Sequence, residues 1–559
     1  MSGRLTGAGV SPGVGYGPVR RLTRRVPEPP AGQRHGGDAA AECRHAEEAL
    51  ERVAADLDAL SAAAASAEGG DVLAAQAMMA RDPALIALVT ELIDDGLAAP
   101  RAVYESFGRF REALVRAGGY VAERAADLDD VRDRAIAVLT AHPIETGPAE
   151  AAGEPYVLMA RDLAPADTAM LTGEVVAAIV TEEGGPTSHT AIMARAMGVP
   201  AVVACPGVAE VPEGTRVLVD GSRGVVMLAP GPGEVAAIRR RMVRREAVLS
   251  ATRGPGTTAD GHLVPLLANI GSLSDVAAAV ENGAEGVGLL RTEFLFLGRE
   301  EAPSVAEQRA AYRAVLEAFP GGRVIVRTLD AGADKPLAFL PPPAEETNPA
   351  LGQRGIRLLR LYPDIMVNQL KALAAAGAAA GPAAELWVMA PMIASAEEAA
   401  WFVAACREAG LDSAGVMVEI PAAALRAREL AAVADFLSIG TNDLAQYAFA
   451  ADRRLGSLTA FQDPWLPAVL DLVAMAASAG RPCGVCGEAA ADPGLACVLI
   501  GLGVTSLSMA ASAIPPVRAA LATHTLAQCR AAAATARAAA SARDAKSAAH
   551  AELPGLIDL

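Results

Sequence analysis

The hydrophobic positions of this chain change rhythm several times, and each change marks a boundary. The first segment, Gly7-Ala8-Gly9-Val10-Ser11-Pro12-Gly13, is dense in turn formers and predicts a strand with tight turns. From Asp38 onward, Ala46, Leu50, Val53, Leu57 and Leu60 recur at alternating spacings of four and three, one face of an amphipathic helix. A break at Gly69-Gly70 follows. Further helices are predicted near Val72–Met79, Pro83–Leu97 and Pro100–Val121, with Pro83 and Pro100 suited to first turns. Up to about Glu145 the pattern reads as a helical bundle inserted into another fold.

From Pro155 to Leu228 short β-like runs alternate with helices: Tyr156–Met159, Val175–Val180, Ala201–Val203 and Arg216–Val219. They predict a small α/β unit. A charged, helix-favouring stretch, Gly233–Thr252, reads as a linker helix whose Arg239-Arg240-Arg241 run is a solvated face. From about His262 eight short apolar runs alternate with helical segments: Leu263–Ala268, Gly286–Leu290, Val324–Arg327, Trp387–Pro391, Gly415–Ile420, Asp435–Ile439, Gly484–Cys486 and Ser506–Met509. Eight strand–helix repeats over about 250 residues predict a (β/α)8 barrel of the TIM type. The Ala-rich tail from about Thr523 is expected to be a helix with a frayed end. The expected fold class is α/β multidomain. Residues 1–21 and 146–230 form the α/β domain, 22–145 the inserted helical subdomain, 231–260 the linker helix and 261–559 the barrel.

Composition narrows the partners. The chain carries 48 Lys and Arg against 65 Asp and Glu, a net charge of −17. That balance argues against nucleic-acid binding, which needs cations to neutralise phosphates, and fits a partner with a basic face. The seven Cys are scattered and odd in number. The chain opens on no signal-peptide pattern, and no apolar run of about 18 residues lacks charge, so a cytoplasmic protein with reduced thiols and no membrane insertion is expected.

Candidate chemistry lies in two places. His189 sits in Gly184-Gly185-Pro186-Thr187-Ser188-His189-Thr190, between the run Val175–Val180 and a helical stretch from Ala191. Thr187 or Ser188 can cap that helix, so His189 lies where free N–H groups and the dipole favour an anion. A largely neutral imidazole there can act as a covalent phosphoryl carrier. The second place is the barrel, where chemistry belongs at the C-terminal strand ends. Those ends carry Arg291, Glu293, Arg327, Asp330, Glu419, Asn442, Asp443 and Cys486, with Arg354 and Arg453 in the loops that follow strands three and six. Converging guanidinium forks suit phosphate and carboxylate, and Glu419 and Asp443 supply hard oxygens for Mg2+. Cys486, as a thiol, can give a proton to the carbon end of an enolate. Cys483-x-x-Cys486 also permits a redox or zinc pair, and strand-end charges also occur as ordinary ion pairs.

These segments resemble enzyme I of the phosphoenolpyruvate:sugar phosphotransferase system along almost the whole chain. Thr181–Val202 is similar to its phosphohistidine signature, with His189 in the phosphorylated position. Leu289–Phe296, Arg327–Lys335, Asn348–Arg357, Met417–Pro421, Ser438–Tyr447 and Gly484–Asp492 resemble its substrate-binding segments in family order. The resemblance implies that Arg291, Arg327, Arg354, Arg453 and Asn442 bind phosphoenolpyruvate, that Glu419 and Asp443 hold Mg2+, and that Cys486 is the proton donor. It implies that the α/β domain carries phosphohistidine, that the helical subdomain docks the phosphocarrier protein HPr, that pyruvate is released, and that the barrel forms a homodimer. Pro186, Ala333 and Gln353 depart from the residues common in the family, Arg, Gly and Trp respectively. Pyruvate phosphate dikinase and phosphoenolpyruvate synthase share the two chemical units but need a large nucleotide-binding domain, for which the stretch before His189 is too short. A nitrogen-type regulatory enzyme I and an inactive carrier-binding protein are the remaining alternatives.

Overall fold

The computed structural model describes all residues except 1–2, 12, 22–25, 64–66, 118–124, 142–153, 164–174, 186–188, 334, 342–345, 382–383, 454 and 559. The chain divides into two compact units, Met1–Met242 and Val243–Leu559. The helix Pro232–Ala251 runs across that division.

The first unit holds a mixed eight-stranded sheet. Its strands are β1 (Gly3–Thr6), β2 (Ala8–Ser11), β3 (Val14–Arg21), β4 (Tyr156–Ala160), β5 (Val176–Thr181), β6 (Ala201–Val203), β7 (Arg216–Asp220) and β8 (Val225–Leu228), in the order β1-β8-β7-β3-β4-β5-β6-β2. The opening segment Gly7–Gly13 holds one strand, β2, as expected, and β1 and β3 flank it. Glycines explain the density of the packing: a Cβ on Gly15 would lie 2.0 Å from the Ala177 carbonyl oxygen. β3 pairs antiparallel with β7 on one side and parallel with β4 on the other.

Between β3 and β4 the chain forms the helices Ala39–Ala63, Ala67–Ala80, Pro83–Asp94, Ala99–Ala117 and Ala125–Leu139. Ala46, Leu50, Val53 and Leu57 are buried in one core with Leu85, Ile93, Val103 and Phe107, and Leu60 packs at its margin. Gly69-Gly70 is not a break. The pair lies in the first turn of Ala67–Ala80, where a helix has no preceding carbonyl partners to lose. Asp82 caps the next helix, accepting from the Ala84 amide at 2.8 Å, with Pro83 in the first turn.

The second unit is a closed parallel barrel of β9 (Leu266–Ile270), β10 (Gly286–Leu290), β11 (Arg323–Arg327), β12 (Glu385–Ala390), β13 (Ala414–Val418), β14 (Leu437–Ile439), β15 (Cys483–Val485) and β16 (Ser506–Met509). Outward residues such as Val324, Val326, Val416, Val418 and Ile439 join the core beneath the helices, while Leu289, Ile325, Met389, Met417 and Phe436 fill the interior. The first strand starts three residues later than its apolar run predicts. Leu263 is exposed and bridges Thr257 in a small antiparallel pair before Pro265. The tail also differs from expectation. It forms two packed helices, Leu526–Arg537 and Ala542–Glu552, with Ala532, Ala536, Ala545 and Ala549 buried. Small residues allow the close approach: a Cβ on Gly501 would stand 2.0 Å from the Cys529 carbonyl oxygen.

Candidate active site

Closure of the barrel turns eight strand ends into one rim, so residues far apart in sequence meet there. Arg327 ends β11, is buried, and pairs with Glu293 beyond β10. Its Nη1 lies 3.2 Å from Asp330 Oδ2. Asp330 in turn accepts from Arg354 Nε at 3.1 Å and Nη2 at 3.0 Å. Arg354 Nη1 reaches Asp443 Oδ1 at 3.0 Å and the Tyr447 hydroxyl at 3.1 Å, and that hydroxyl donates to the Ala350 carbonyl. Arg453 Nη1 closes the series at 3.5 Å from Asp443 Oδ2. Acid and base thus alternate across the rim as Glu293, Arg327, Asp330, Arg354, Asp443 and Arg453. Arg291 is exposed at the end of β10, and its side chain has no partner among the described residues. Asn442 Oδ1 accepts from the Glu488 amide at 3.3 Å.

Burial makes the charge balance exacting. It would raise the Asp330 carboxyl, but the guanidiniums of Arg327 and Arg354 outweigh it and hold the group well below the usual carboxylate range. Glu419 goes the other way. It lies one residue past β13, buried, with Oε1 accepting from the Met392 amide at 2.6 Å. Burial first, then the charges of Asp443 and Asp330, push it up to about 8. Two crowded carboxylates, one forced towards its neutral form, are the donor set a small divalent cation relieves, since Mg2+ binds through one or two carboxylates plus substrate phosphate. Among the described residues no three His, Cys, Asp or Glu side chains converge as a complete protein cage. Glu293 Oε2, Arg327 Nε and Thr441 Oγ1 are buried without partners among the described residues, polar atoms of the kind that a bound anion and cation satisfy. The residues therefore fit Mg2+.

Cys486 follows β15 and is 4% exposed. Its sulfur accepts from Ser438 Oγ at 3.3 Å and its S–H donates to the Ile439 carbonyl at 3.5 Å. Burial pushes the thiol up to about 11, with the Ser438 hydrogen bond acting in the opposite direction. Cys486 is thus a thiol at neutral pH, as a proton donor must be. Cys483 is not its redox or zinc partner in any geometric sense: it faces the helix-side core, and Cys486 faces the barrel interior.

The sequence places Asp330 and Glu293 at strand ends without a role, and they act as counter-ions to the arginines. Other contributors carry no such signal. Gln369, fully buried on the helix Pro363–Ala380, accepts from the Leu329 amide at 3.0 Å and donates to Thr292 Oγ1 and the Tyr312 hydroxyl, each at 3.1 Å. Thr292 Oγ1 donates to the Arg327 carbonyl at 3.0 Å, so this network locks two strand ends together. Its only trace in sequence is a glutamine inside the apolar stripe Met366, Leu370, Leu373. Asn269 donates to the Cys486 carbonyl at 3.1 Å and accepts from Ser508 Oγ at 2.6 Å. Gln353, a departure from the family pattern, uses its amide to bind Glu346 at 3.1 Å. Pro186, Thr187 and Ser188 lie outside the described residues. His189 opens the helix His189–Ala196 just beyond β5, after Gly184 with φ +93°. His189 lies in the first unit and the rim residues in the second.

Three family models match in order: the N-terminal domain of PEP-utilising enzymes over residues 6–124, their mobile domain over 152–224 and their PEP-binding domain over 245–526. A phosphoenolpyruvate-protein phosphotransferase of Streptomyces coelicolor is 58% identical over 99% of this chain and 100% of its own. One from Haloferax volcanii is 42% identical over 94% of this chain and 95% of its own. With the barrel, its rim of alternating charge and these matches along the whole sequence, the chain belongs to the phosphoenolpyruvate-protein phosphotransferase family of PEP-utilising enzymes.

Proposed function

We propose that the chain takes the phosphoryl group of phosphoenolpyruvate onto His189, releases pyruvate, and passes the group to a histidine of the phosphocarrier HPr. The observation that carries this reading is the meeting, on one barrel rim, of four arginines, two crowded carboxylates and a buried thiol. Arg291, Arg327, Arg354 and Arg453 bind the phosphate and carboxylate of the substrate, with Asn442 beside them. Glu419 and Asp443 would hold Mg2+, which when bound neutralises phosphate charge.

A ring nitrogen of His189 forms the new bond to phosphorus, and the bond from phosphorus to the enol oxygen breaks. That electron pair becomes the enolate, and Cys486 delivers its proton to the methylene carbon to give pyruvate. Arg327 and Arg354 stabilise the developing negative charge from fixed positions, since both are already held by Asp330. For the group to move, His189 has to reach the barrel rim and then the carrier.

The helical subdomain, residues 22–145, is the proposed dock for HPr. Residues 38–145 hold 21 Asp and Glu against 10 Arg and no Lys. Part of that excess is used internally, as in Arg81 with Glu51 and Asp58. Glu47, Glu48 and Asp56 remain exposed on the helix Ala39–Ala63 without ion-pair partners among the described residues, and they suit a basic partner. A homodimer formed through the barrel and a cytoplasmic setting complete the reading. Among the described residues no helix is long and apolar enough to cross a membrane. The test is incubation with labelled phosphoenolpyruvate and Mg2+, with and without HPr. Label should enter the chain, then leave it for HPr. Failure of the chain to take label would refute the proposal.

A further inference from the structure

Inward positions of a (β/α)8 barrel are usually filled by branched apolar side chains. Ile325, Met389, Met417 and Phe436 pack beside Cys486 in the apolar part of this interior. Ile325 and Phe436 also border a part that departs from that rule. Ser438 on β14 and Ser506 and Ser508 on β16 line a cavity shared with Gly288 and Gly484. The glycines hold that space open: a Cβ on Gly484 would stand 2.7 Å from Ser506 Oγ, and one on Gly288 would stand 2.5 Å from Ser508 Oγ. The cavity touches Cys486 at its upper end and Arg323, Pro482 and Thr505, at the strand starts, below.

The hydroxyls differ in what they do. Ser508 is engaged by Asn269 at 2.6 Å. Ser438 donates to the Cys486 sulfur at 3.3 Å. Ser506 is 6% exposed, and no side-chain hydrogen bond engages its hydroxyl among the described residues. That hydroxyl is not sealed within protein but faces the cavity, whose lining also includes Ile325, Trp387 and Phe436, and a hydroxyl so placed is one that water satisfies.

We propose that this cavity holds water and is the route by which Cys486 regains its proton between turnovers, with Ser506 holding the water and Ser438 relaying to sulfur. The inference rests on Cys486 being the proton donor. Each turnover moves the thiol proton to the substrate carbon and leaves the S–H electron pair on sulfur as thiolate. The Ser438 hydroxyl then gives its proton to sulfur and takes one from cavity water, which draws it from solvent. One solvent proton enters per pyruvate formed. A substrate lying over Cys486 at the rim leaves this path from the barrel floor open. Ser438 and Ser506 are positioning residues; neither touches the reacting carbon.

The test separates chemistry from proton return. The full-length chain is held in D2O with Mg2+, phosphoenolpyruvate and pyruvate. Exchange of 13C label between the two carbon pools reads phosphoryl transfer and protonation, because a proton taken from pyruvate can be handed back without leaving sulfur. Deuterium entry into the pyruvate methyl group reads exchange of the Cys486 proton with solvent. Ser506→Val fills the cavity and should lower the ratio of deuterium entry to 13C exchange at least fivefold, while 13C exchange stays within about twofold of the parent. Ser506→Ala and Ser438→Ala, which add no volume, should each lower the same ratio at least twofold. An unchanged ratio in Ser506→Ala overturns the route, even if the valine variant does not fold. Cys486→Ser tests the underlying reading separately: parental 13C exchange in that variant removes Cys486 as the donor, and the return route with it.

Discussion

Asp330 is the hinge of the rim's electrostatics, and its neutralisation has a calculable consequence. Asp330→Asn keeps the shape but removes the charge lying between Arg327, at 3.2 Å, and Arg354, at 3.0 Å. Breaking a buried ion pair from one side typically costs about 3–5 kcal/mol, because the remaining charge stays buried. Arg327 keeps Glu293, and Arg354 keeps Asp443, so a loss of about 3 kcal/mol, at the lower end of that range, is expected. In a unit of this size that corresponds to a fall in melting temperature of about 4–5 °C. All three tryptophans, Trp387, Trp401 and Trp465, lie in the second unit, so tryptophan fluorescence follows the barrel alone. The pH dependence has a definite sign. Asp330 is depressed in the folded state, so its contribution is fully present above the unfolded carboxyl value of about 3.9 and is lost as pH falls through the folded value. The gap between parent and variant should therefore be full at pH 7 and narrow as pH falls from 4 towards 2. A gap under about 1 kcal/mol at pH 7 would show that the alternating ion pairs do not hold the rim together.

The other residues make separate demands. Cys486→Ser should lower kcat by at least about 100-fold with substrate binding nearly unchanged, because a hydroxyl is a much poorer acid; equal turnover would reduce Cys486 to packing. Since burial lifts its thiol to about 11, the parent's forward rate should show no thiol titration between pH 7 and 9, and a loss centred near 8.5 in a pH–rate profile would contradict that. Glu419 must give up a proton to act as a metal ligand, so the Mg2+ concentration needed for half-maximal rate should fall as pH rises from 6.5 to 8, and Glu419→Gln should need far more Mg2+ and lose that dependence. HPr association, followed by stopped flow, should slow as salt rises from 0.05 to 0.3 M, and charge reversal at Glu47 and Glu48 should flatten that slope.

How far the sequence reaches depends on the kind of signal. The barrel was legible because its strands are apolar runs buried on the outer face, and seven of the eight fall where the runs place them. Leu263 misled because apolar character alone does not reveal that the chain turns at Pro265 first. The tail misled because alanine-rich segments look too weakly hydrophobic to pack, yet small residues let helix backbones meet, as at Gly501 and Cys529. The strand-end arginines were legible as cations in series. Their partners were not, because Asp330 binds Arg354 across a loop and Gln369 reaches two strand ends from a helix, and neither distance is written in local spacing.

His189 as carrier of the phosphoryl group drawn from phosphoenolpyruvate at the barrel rim is checked by mass mapping of the phosphorylated residue after exposure to labelled phosphoenolpyruvate and Mg2+, in the parent and in His189→Ala. The adduct should be acid-labile, base-stable and confined to His189, and the variant should take no label while still binding phosphoenolpyruvate. Label of the same kind retained by His189→Ala, or mapped to another residue of the parent, would contradict the account.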